Sequence, residues 1–136
     1  MEYSYASAKE GLDNLKNLDS RVESKYALDA TAFYQGFHLH TIDTCLTTGL
    51  VFDEISHLQH KISSLDTLIL TKRIIIFEPS TKTVKLIKLV AKQTGEGRLT
   101  EADVSIIALA KDYNAILVTD DFAISNLAKS LSIELL

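Results

Sequence analysis

The amino-acid sequence predicts an α/β protein of three layers, α/β/α, whose central parallel sheet has about four or five strands. Short apolar runs alternate with longer segments of helical periodicity, which is the pattern of strands joined by crossover helices. One run, Ile74-Ile75-Ile76, has no polar position, as expected for a strand buried on both faces. Acidic residues directly follow two other runs, and the carboxyl ends of parallel strands form the ligand crevice in such sheets. The fold class therefore also predicts where a functional site lies.

The composition is that of a soluble globular domain, since 46% of the 136 residues are hydrophobic and 24% are charged. Residues 25–136 are predicted to form one domain, and the polar residues 1–24 an extension that is flexible or forms one helix. The single Cys45 excludes an internal disulfide and a cysteine-based zinc site. The sequence contains no signal-peptide core and no membrane-spanning apolar run, so we expect a cytoplasmic protein without a membrane partner.

Four segments have the apolar and β-branched composition of short strands. In chain order they are Tyr26–Ala30, Thr71–Phe77, Ala115–Thr119 and Ile133–Leu136. Helical segments separate most of them, so the strands are expected to run parallel.

Five segments are predicted as helices from their periodicity and end signals. They are a turn or brief helix over Thr31–Phe37, and longer helices over about Leu50–Gln59, Ser80–Gln93, the residues after Thr100, and Asp121–Ser130. Gly95 and Gly97 end the third segment. Thr100 is the expected N-cap of the fourth, which is apolar nearly all round and should therefore be buried.

Four acidic residues are placed so that such a sheet would bring them together. Asp29 lies at the end of one predicted strand and Asp120 follows another. Asp103 lies in the first turn of the buried helix, and Glu54 lies on the helix after Thr47-Thr48. Asp121 could add a fifth carboxylate. Each of these acids alone is also explained as a helix cap or a solvated residue.

Together, the four carboxylates need neutralisation. Two like charges about 4 Å apart repel by several kcal/mol at an effective dielectric near 20. A group of four is therefore stable only with bound protons or cations. Hard oxygen donors without a thiolate select Mg²⁺ or Mn²⁺.

Four blocks of the sequence resemble the motifs of PIN domains, over roughly Lys25 to Leu136. These blocks are Leu28-Asp29-Ala30-Thr31, Thr47-Thr48-Gly49 through Glu54-Ile55, Gly97 through Ala110, and Leu117 through Ala128. Within the family the blocks are most similar to the archaeal and eukaryotic endonucleases that mature the 3′ end of small-subunit ribosomal RNA. VapC-type toxins are next in similarity. Gly49 stands where many relatives have proline, and the zinc ribbon usual after the nuclease domain of the rRNA-processing proteins is not in this chain.

The resemblance implies metal-dependent hydrolysis of single-stranded RNA, with ribosomal RNA as the candidate target. The implied catalytic acids and metal ligands are Asp29, Glu54, Asp103 and Asp120, with Asp121 as an accessory ligand and Thr31 as a hydroxyl contact near the metal. A water molecule on Mg²⁺ or Mn²⁺ would lose a proton and attack the phosphodiester in line. A homodimer, and either an antitoxin or a ribosome-assembly factor as partner, are also implied.

A lysine-rich face gives a weaker indication of substrate binding. Lys82, Lys85, Lys88 and Lys92 fall along one side of the helix that begins at Ser80, within a stretch of seven basic and two acidic residues. A phosphate-binding stripe has this pattern. An ordinary amphipathic helix with a solvated lysine face has it as well.

Other interpretations of the sequence remain open. A VapC-like toxin would share the chemistry, whereas a non-catalytic PIN scaffold would bind RNA or protein without cleavage. A histidine zinc site would draw on the pairs His38 and His40, and His57 and His60. Tyr34, Phe33 and Phe37 could stack on bases, although packing in the core explains each of them better.

Overall fold

The structure is a computed structural model, and it describes residues 25–57 and 65–136. The elements in chain order are β1 (Tyr26–Leu28), α1 (Ala30–Tyr34), a 3₁₀ turn (Phe37–Leu39), β2 (Cys45–Thr47), α2 (Gly49–Ser56), α3 (Leu65–Leu70), β3 (Ile74–Ile76), α4 (Thr81–Gln93), α5 (Glu101–Tyr113), β4 (Ile116–Val118) and α6 (Phe122–Ser130). The predicted extension over residues 1–24 lies outside the described residues. In the described part of the chain, no helix has the length and apolar content that crossing a membrane requires.

The four strands form one parallel sheet in the order β3-β2-β1-β4. In register, Tyr26 pairs with both Cys45 and Ile116, so β1 lies between β2 and β4. Helices flank the sheet, which confirms the predicted three-layer fold with a central parallel sheet. The central position of β1 places its carboxyl end, and hence Asp29, between the ends of two neighbouring strands.

The sheet differs from the prediction in two strands. Cys45–Thr47 is a strand, whereas Leu46 and Thr47 were expected to lead into a helix. The predicted strand Ile133–Leu136 is reduced to a single parallel bridge between Leu117 and Leu135. Its amide groups still pair with β4, since Leu117 N–H donates to Glu134 O at 2.8 Å and Leu136 N–H donates to Leu117 O at 3.2 Å. The last residues therefore cover the edge of β4 without forming a full strand.

The predicted helices are present with shifted boundaries. The turn or brief helix expected over Thr31–Phe37 is α1, and the helix expected to about Gln59 is described as far as Ser56. Helix α3 was not predicted, and it ends at Leu70. The next strand was expected to begin at Thr71 but begins at Ile74. Ser80, Thr100 and Asp121 are side-chain N-caps, so α4, α5 and α6 begin where capping chemistry places them.

Helix α5 is the centre of the hydrophobic core. Every residue from Val104 to Ala110 is buried, as its apolar composition predicted. The helix contacts β1 and β4 on one side and packs against α2, α4 and α6. Its first turn, which carries Asp103, is thereby held at the carboxyl edge of the sheet, near Asp29.

Candidate functional site

Asp29 is a buried carboxylate at the carboxyl end of β1, and only 3% of its surface is exposed. It is the N-cap of α1, so Oδ1 accepts the Ala32 N–H at 2.9 Å. The Thr31 hydroxyl donates to the same oxygen at 2.7 Å, and the Thr119 hydroxyl donates to Oδ2. These donors fix the orientation of the carboxylate and compensate part of its loss of hydration.

The same two hydroxyl groups connect Asp29 to the end of β4. Thr31 Oγ1 accepts the N–H of Asp120 at 2.9 Å, and Thr119 Oγ1 accepts the N–H of Asp121 at 3.0 Å. Because each hydroxyl oxygen accepts from an amide, its own proton is directed to Asp29. The segment 119–121 is therefore fixed against β1 by side chains as well as by the sheet.

Asp103 is the third helical residue of α5 and forms a reciprocal capping box with Thr100. Thr100 N–H donates to Asp103 Oδ2 at 3.0 Å, and Asp103 N–H donates to Thr100 Oγ1 at 3.1 Å. The helix-cap explanation of Asp103 is thus correct for one of its oxygens. Among the described residues Oδ1 has no hydrogen-bond partner, so that oxygen remains available.

Glu54 lies on α2 and shares an electrostatic environment with Asp29 and Asp103. Burial raises the pKa of Asp29, hydrogen bonds from Thr119, Thr31 and Ala32 oppose this increase, and the charge of Asp103 adds to it. Burial also raises the pKa of Glu54, and the charges of Asp103 and Asp29 raise it further. The charge of Asp103 therefore disfavours the ionisation of both Asp29 and Glu54, and the charge of Asp29 disfavours that of Glu54.

The raised pKa values predict how the stability of the metal-free protein depends on pH. A carboxylate with a folded pKa above its unfolded value contributes stability that is complete below the unfolded value and is lost as pH rises through the folded one. The unfolded values are 3.8 for Asp29 and 4.5 for Glu54. From about pH 4 upward in EDTA, the free energy of unfolding of wild type should therefore fall relative to that of Asp103→Asn. Urea denaturation at several pH values measures the difference, and a difference that shrinks with pH would contradict the prediction.

A buried hydroxyl pair joins the two helices that carry Glu54 and Asp103. Thr48, the N-cap of α2, lies 2.7 Å from Ser105 of α5 between the hydroxyl oxygens. Ser105 donates its proton to Ala102 O at 2.7 Å, so Thr48 must be the donor in the pair. Both side chains are almost fully buried, at 0% and 4% exposure. The pair fixes the beginning of α2 against the first turns of α5.

Replacing Thr48 by valine should destabilise the protein by about 2 kcal/mol, because it removes both a helix cap and a buried hydrogen bond. Chemical denaturation measures the change. Thr71→Val is the matched control, since the Thr71 hydroxyl is exposed and bonds only within its own turn of the chain. An equal, small effect of both substitutions would show that the buried pair contributes little.

Asp120 and Asp121 follow β4, and their backbone amides lie near Asp29 through Thr31 and Thr119, but their side chains are placed differently. Asp121 Oδ1 accepts the N–H groups of Ala123 and Ile124 at 2.9 and 3.2 Å, so Asp121 is the N-cap of α6. Asp120 is exposed, and its amide bonds Thr31. Neither residue is among the charges that raise the pKa of Asp29 or of Glu54.

The donor chemistry of this edge fits a divalent cation. Asp29, Glu54 and Asp103 offer hard oxygen atoms, and none of them forms an ion pair with a lysine or arginine of the described residues. Within residues 25–57 and 65–136, however, no three histidine, cysteine, aspartate or glutamate side chains are placed so that they could hold one metal ion. The caps on Asp29, Asp103 and Asp121 account for this arrangement, because they direct carboxylate oxygens toward backbone amides. The predicted histidine pairs are not brought together with other ligands in this part of the chain, and His60 lies outside it.

Sequence reasoning missed the hydroxyl residues that organise the site. Thr119, Thr48 and Ser105 were not singled out, although Thr31 was. The available signal is a threonine directly before an acidic or capping position at a strand end, since such hydroxyls bond nearby backbone amides.

The four lysines of α4 are all exposed, as expected, but they do not lie at equal distances from the acids. Lys88 Nζ is 3.1 Å from Glu101 Oε2, in the first turn of α5. At the other end of α4, Ser80 N–H donates to Asp112 Oδ2 at 2.7 Å, near the end of α5. Helices α4 and α5 are therefore antiparallel, and Lys88 and Lys92 lie nearer the acidic edge than Lys82 and Lys85. Leu86 and Leu89 on the same helix are exposed as well.

Comparison with known proteins identifies similar sequences and a similar fold. A family described as PIN domain of ribonuclease matches residues 27–113. The chain is 32% identical over 111 residues to Endoribonuclease Nob1 of Pyrococcus abyssi, covering 81% of this chain and 66% of that protein. It is 34% identical over 108 residues to Endoribonuclease Nob1 of Methanocaldococcus jannaschii, covering 79% and 53%. The chain thus spans between about half and two thirds of the length of these relatives.

One further sequence match is shorter, and one solved structure has a similar fold. The chain is 33% identical over 66 residues to Ribonuclease VapC1 of Thermoplasma acidophilum, covering 48% of this chain and 34% of that protein. The crystal structure of PAE2754 from Pyrobaculum aerophilum superposes with a TM-score of 0.52 at 19% identity, covering 79% of this chain and 92% of that one. At that identity the superposition supports the fold alone.

Proposed function

The chain belongs to the PIN domain family, and on that premise we propose that it is an endoribonuclease that hydrolyses single-stranded RNA with Mg²⁺ or Mn²⁺. The matches to proteins named endoribonuclease and ribonuclease support the reaction class. The single observation that carries the proposal is the acidic edge formed by Asp29, Glu54 and Asp103. Their carboxylates share one environment without a neutralising lysine or arginine among the described residues.

The residues at this edge would have two roles, which are to hold a cation and to accept a proton. A divalent cation, when bound, supplies charge neutralisation and an acidified water. Asp29 is the rigid member, because Thr31, Ala32 and Thr119 fix both of its oxygens. Glu54 has no hydrogen-bond partner among the described residues and has a raised pKa, so it suits the role of accepting a proton from the attacking water.

The remaining acids would complete the set of oxygen donors. Asp103 offers the oxygen that its cap leaves available, and the exposed Asp120 and the capping Asp121 offer oxygens at the end of β4. The hydroxyl of Thr31 would act by holding Asp29 and Asp120 in place, which is a positioning role.

The test is a cleavage assay on fluorescently labelled single-stranded RNA with the purified protein. We expect internal cleavage with Mg²⁺ or Mn²⁺ and none with EDTA, together with a metal-dependent increase in Tm. A protein that cuts no RNA and shows no Tm change with either ion would exclude the nuclease and favour a scaffold that binds RNA or protein partners.

We propose small-subunit ribosomal RNA as the target and the cytoplasm as the location. The breadth of the matches supports this choice over a toxin, since those to the Nob1 proteins extend over 108 to 116 residues and the match to VapC1 over 66. Cleavage at the 3′ end of a small-subunit precursor, and co-purification with ribosome-assembly factors, would support it. A stable complex with a small inhibitory protein would indicate the toxin instead. Size-exclusion chromatography decides between a monomer and the proposed homodimer.

The lysine-rich face of α4 is proposed to contact the phosphates of the RNA. Lys92→Ala should weaken RNA binding more than Lys82→Ala, because Lys92 lies nearer the acidic edge. Substituting a lysine that contacts a phosphate should also reduce the slope of log Kd against log salt concentration, by about 0.7 for a single strand. Titrations by fluorescence anisotropy at several salt concentrations measure both quantities. Equal effects at the two positions, or no effect, would mean that α4 is an ordinary amphipathic helix whose lysine face is only solvated.

A further inference from the structure

We propose that Tyr34 and Phe122 are stacking platforms for the nucleobases on the two sides of the phosphate that reaches Asp29. The inference rests on the proposed function and deepens it, because it assigns how single-stranded RNA is held at the acidic edge. Among the large apolar side chains of the described residues that are exposed, these two are the aromatic ones. Both lie at the carboxyl edge of the sheet.

Tyr34 lies on the same side of α1 as Thr31, which is three residues earlier and bonds the Asp29 carboxylate. Its ring is 49% exposed, whereas the neighbouring Phe33 is only 2% exposed and belongs to the core. Burial raises the pKa of the Tyr34 phenol, and the charge of Glu54 raises it further, so Tyr34 lies within the electrostatic reach of Glu54. The ring is therefore presented to solvent beside two of the acids, and core packing does not explain it.

Phe122 is the first residue of α6 and directly follows Asp120 and Asp121. Its side chain is 79% exposed, while the buried face of α6 is formed by Ile124, Leu127 and Ala128. The cap formed by Asp121 fixes the backbone at this point, through bonds to the amides of Ala123 and Ile124. A large apolar ring is thus held in water at a rigid position beside the acidic edge.

The two rings lie on segments that contact the two different oxygens of Asp29. Thr31, in the helix of Tyr34, donates to Oδ1, and Thr119, three residues before Phe122, donates to Oδ2. The bond from Asp120 N–H to Thr31 joins the same two segments. If a phosphate of the RNA approaches Asp29, the base on one side of it would therefore lie toward Tyr34 and the base on the other side toward Phe122.

Stacking is also a suitable contact for single-stranded RNA beside acidic side chains. Acidic side chains repel RNA phosphates unless cations are present, so contacts to the bases must contribute to holding the strand. A single strand has unpaired bases whose faces are free to stack on aromatic side chains, and this contact tolerates any base. We therefore expect binding that depends on the presence of bases and depends little on their identity.

The experiment measures Kd by fluorescence anisotropy for a labelled single-stranded RNA octamer in EDTA, so that no cleavage enters the measurement. Tyr34→Ala and Phe122→Ala should each weaken binding about tenfold. Tyr34→Phe and Phe122→Tyr, which keep the ring, should bind like wild type. Leu70→Ala is the matched control, because Leu70 is 70% exposed at the opposite end of the sheet, before β3. All of these side chains are exposed, so the substitutions should leave Tm unchanged. An unchanged Tm excludes unfolding as the cause of weaker binding.

An abasic ribose-phosphate oligomer of the same length identifies the contact as stacking. Wild type, Tyr34→Ala and Phe122→Ala should bind this oligomer equally weakly. If the two alanine variants bind normal RNA as wild type does, or if their loss persists on the abasic oligomer, the stacking inference is wrong while the nuclease proposal stands. If wild type neither binds nor cuts RNA, the proposed function fails and the inference fails with it.

Discussion

Asparagine at position 103 is expected to reduce RNA cleavage by at least about 100-fold without destabilising the metal-free protein. The loss corresponds to about 2.7 kcal/mol of transition-state stabilisation. It is expected because the substitution removes one of the three carboxylates that share the acidic edge. The asparagine side chain retains a carbonyl oxygen that can accept the Thr100 N–H, so the cap on α5 should survive. Removing the charge relieves repulsion of Asp29 and Glu54, which favours the folded state.

Three measurements separate the outcomes for Asp103→Asn. Single-turnover cleavage rates with Mg²⁺ or Mn²⁺ give the loss of activity, and urea denaturation in EDTA gives the stability. The metal-dependent increase in Tm should also become smaller. Asp53→Asn is the matched control, since Asp53 is exposed on the same helix as Glu54 and its carboxylate has no hydrogen bond among the described residues. A large loss of stability in Asp103→Asn would mean that Asp103 acts chiefly as a cap and that the acidic site must be redefined.

Alanine at position 29 should have the largest effect on stability, a loss of about 3 kcal/mol in the free energy of unfolding. The substitution removes the N-cap of α1 and leaves the Ala32 N–H and two hydroxyls without their acceptor in a buried site. A lost cap costs about 1 kcal/mol, and an unsatisfied buried polar group costs about 1–3 kcal/mol. Relief of the repulsion from Asp103 offsets part of this cost, which is why the sum is not larger.

Asparagine at position 29 tests whether the stability depends on the hydrogen-bond acceptor or on the negative charge. Asp29→Asn keeps an oxygen for Ala32 N–H and Thr31, so it should recover part of the stability while cleavage remains absent. Asp53→Ala should change the free energy of unfolding by less than about 0.5 kcal/mol, as usual for an exposed residue. Equal and small effects of Asp29→Ala and Asp53→Ala would contradict the role assigned to the buried carboxylate.

The fold was predictable where the sequence carries strong local signals. The caps Ser80, Thr100 and Asp121 mark the beginnings of three helices, and each forms the expected hydrogen bonds. The strand β2 was missed because it is three residues long and runs directly into the Thr48 cap of α2. So short a segment has no alternation or periodicity to identify it. Its assignment depends on pairing with β1 and β3, which lie far away in the chain.

The sequence predicted which residues belong to the candidate site better than it predicted how their side chains are arranged. The sequence singled out Asp29 at a strand end, Glu54 on a helix and Asp103 in the first turn of the buried helix. In the structure the charge of Asp103 acts on the other two, and the catalytic and metal-binding roles of all three stay predictions. The roles of Asp120 and Asp121 as metal ligands stay a prediction. The local sequence marks Thr119 and Thr48 as hydroxyl residues at strand ends but not their partners, because those lie 90 and 57 positions away in the chain.

The pairing of β1 with β4 has a consequence for the order in which the protein becomes active during its synthesis. Asp29 emerges from the ribosome early, but the threonine that binds its second oxygen lies 90 residues later. At a translation rate of about 5–20 residues per second, several seconds separate the two. A nascent chain therefore carries an incomplete acidic edge until β4 can dock. Asp29 therefore gains the donor to its second oxygen only after β4 has paired with β1.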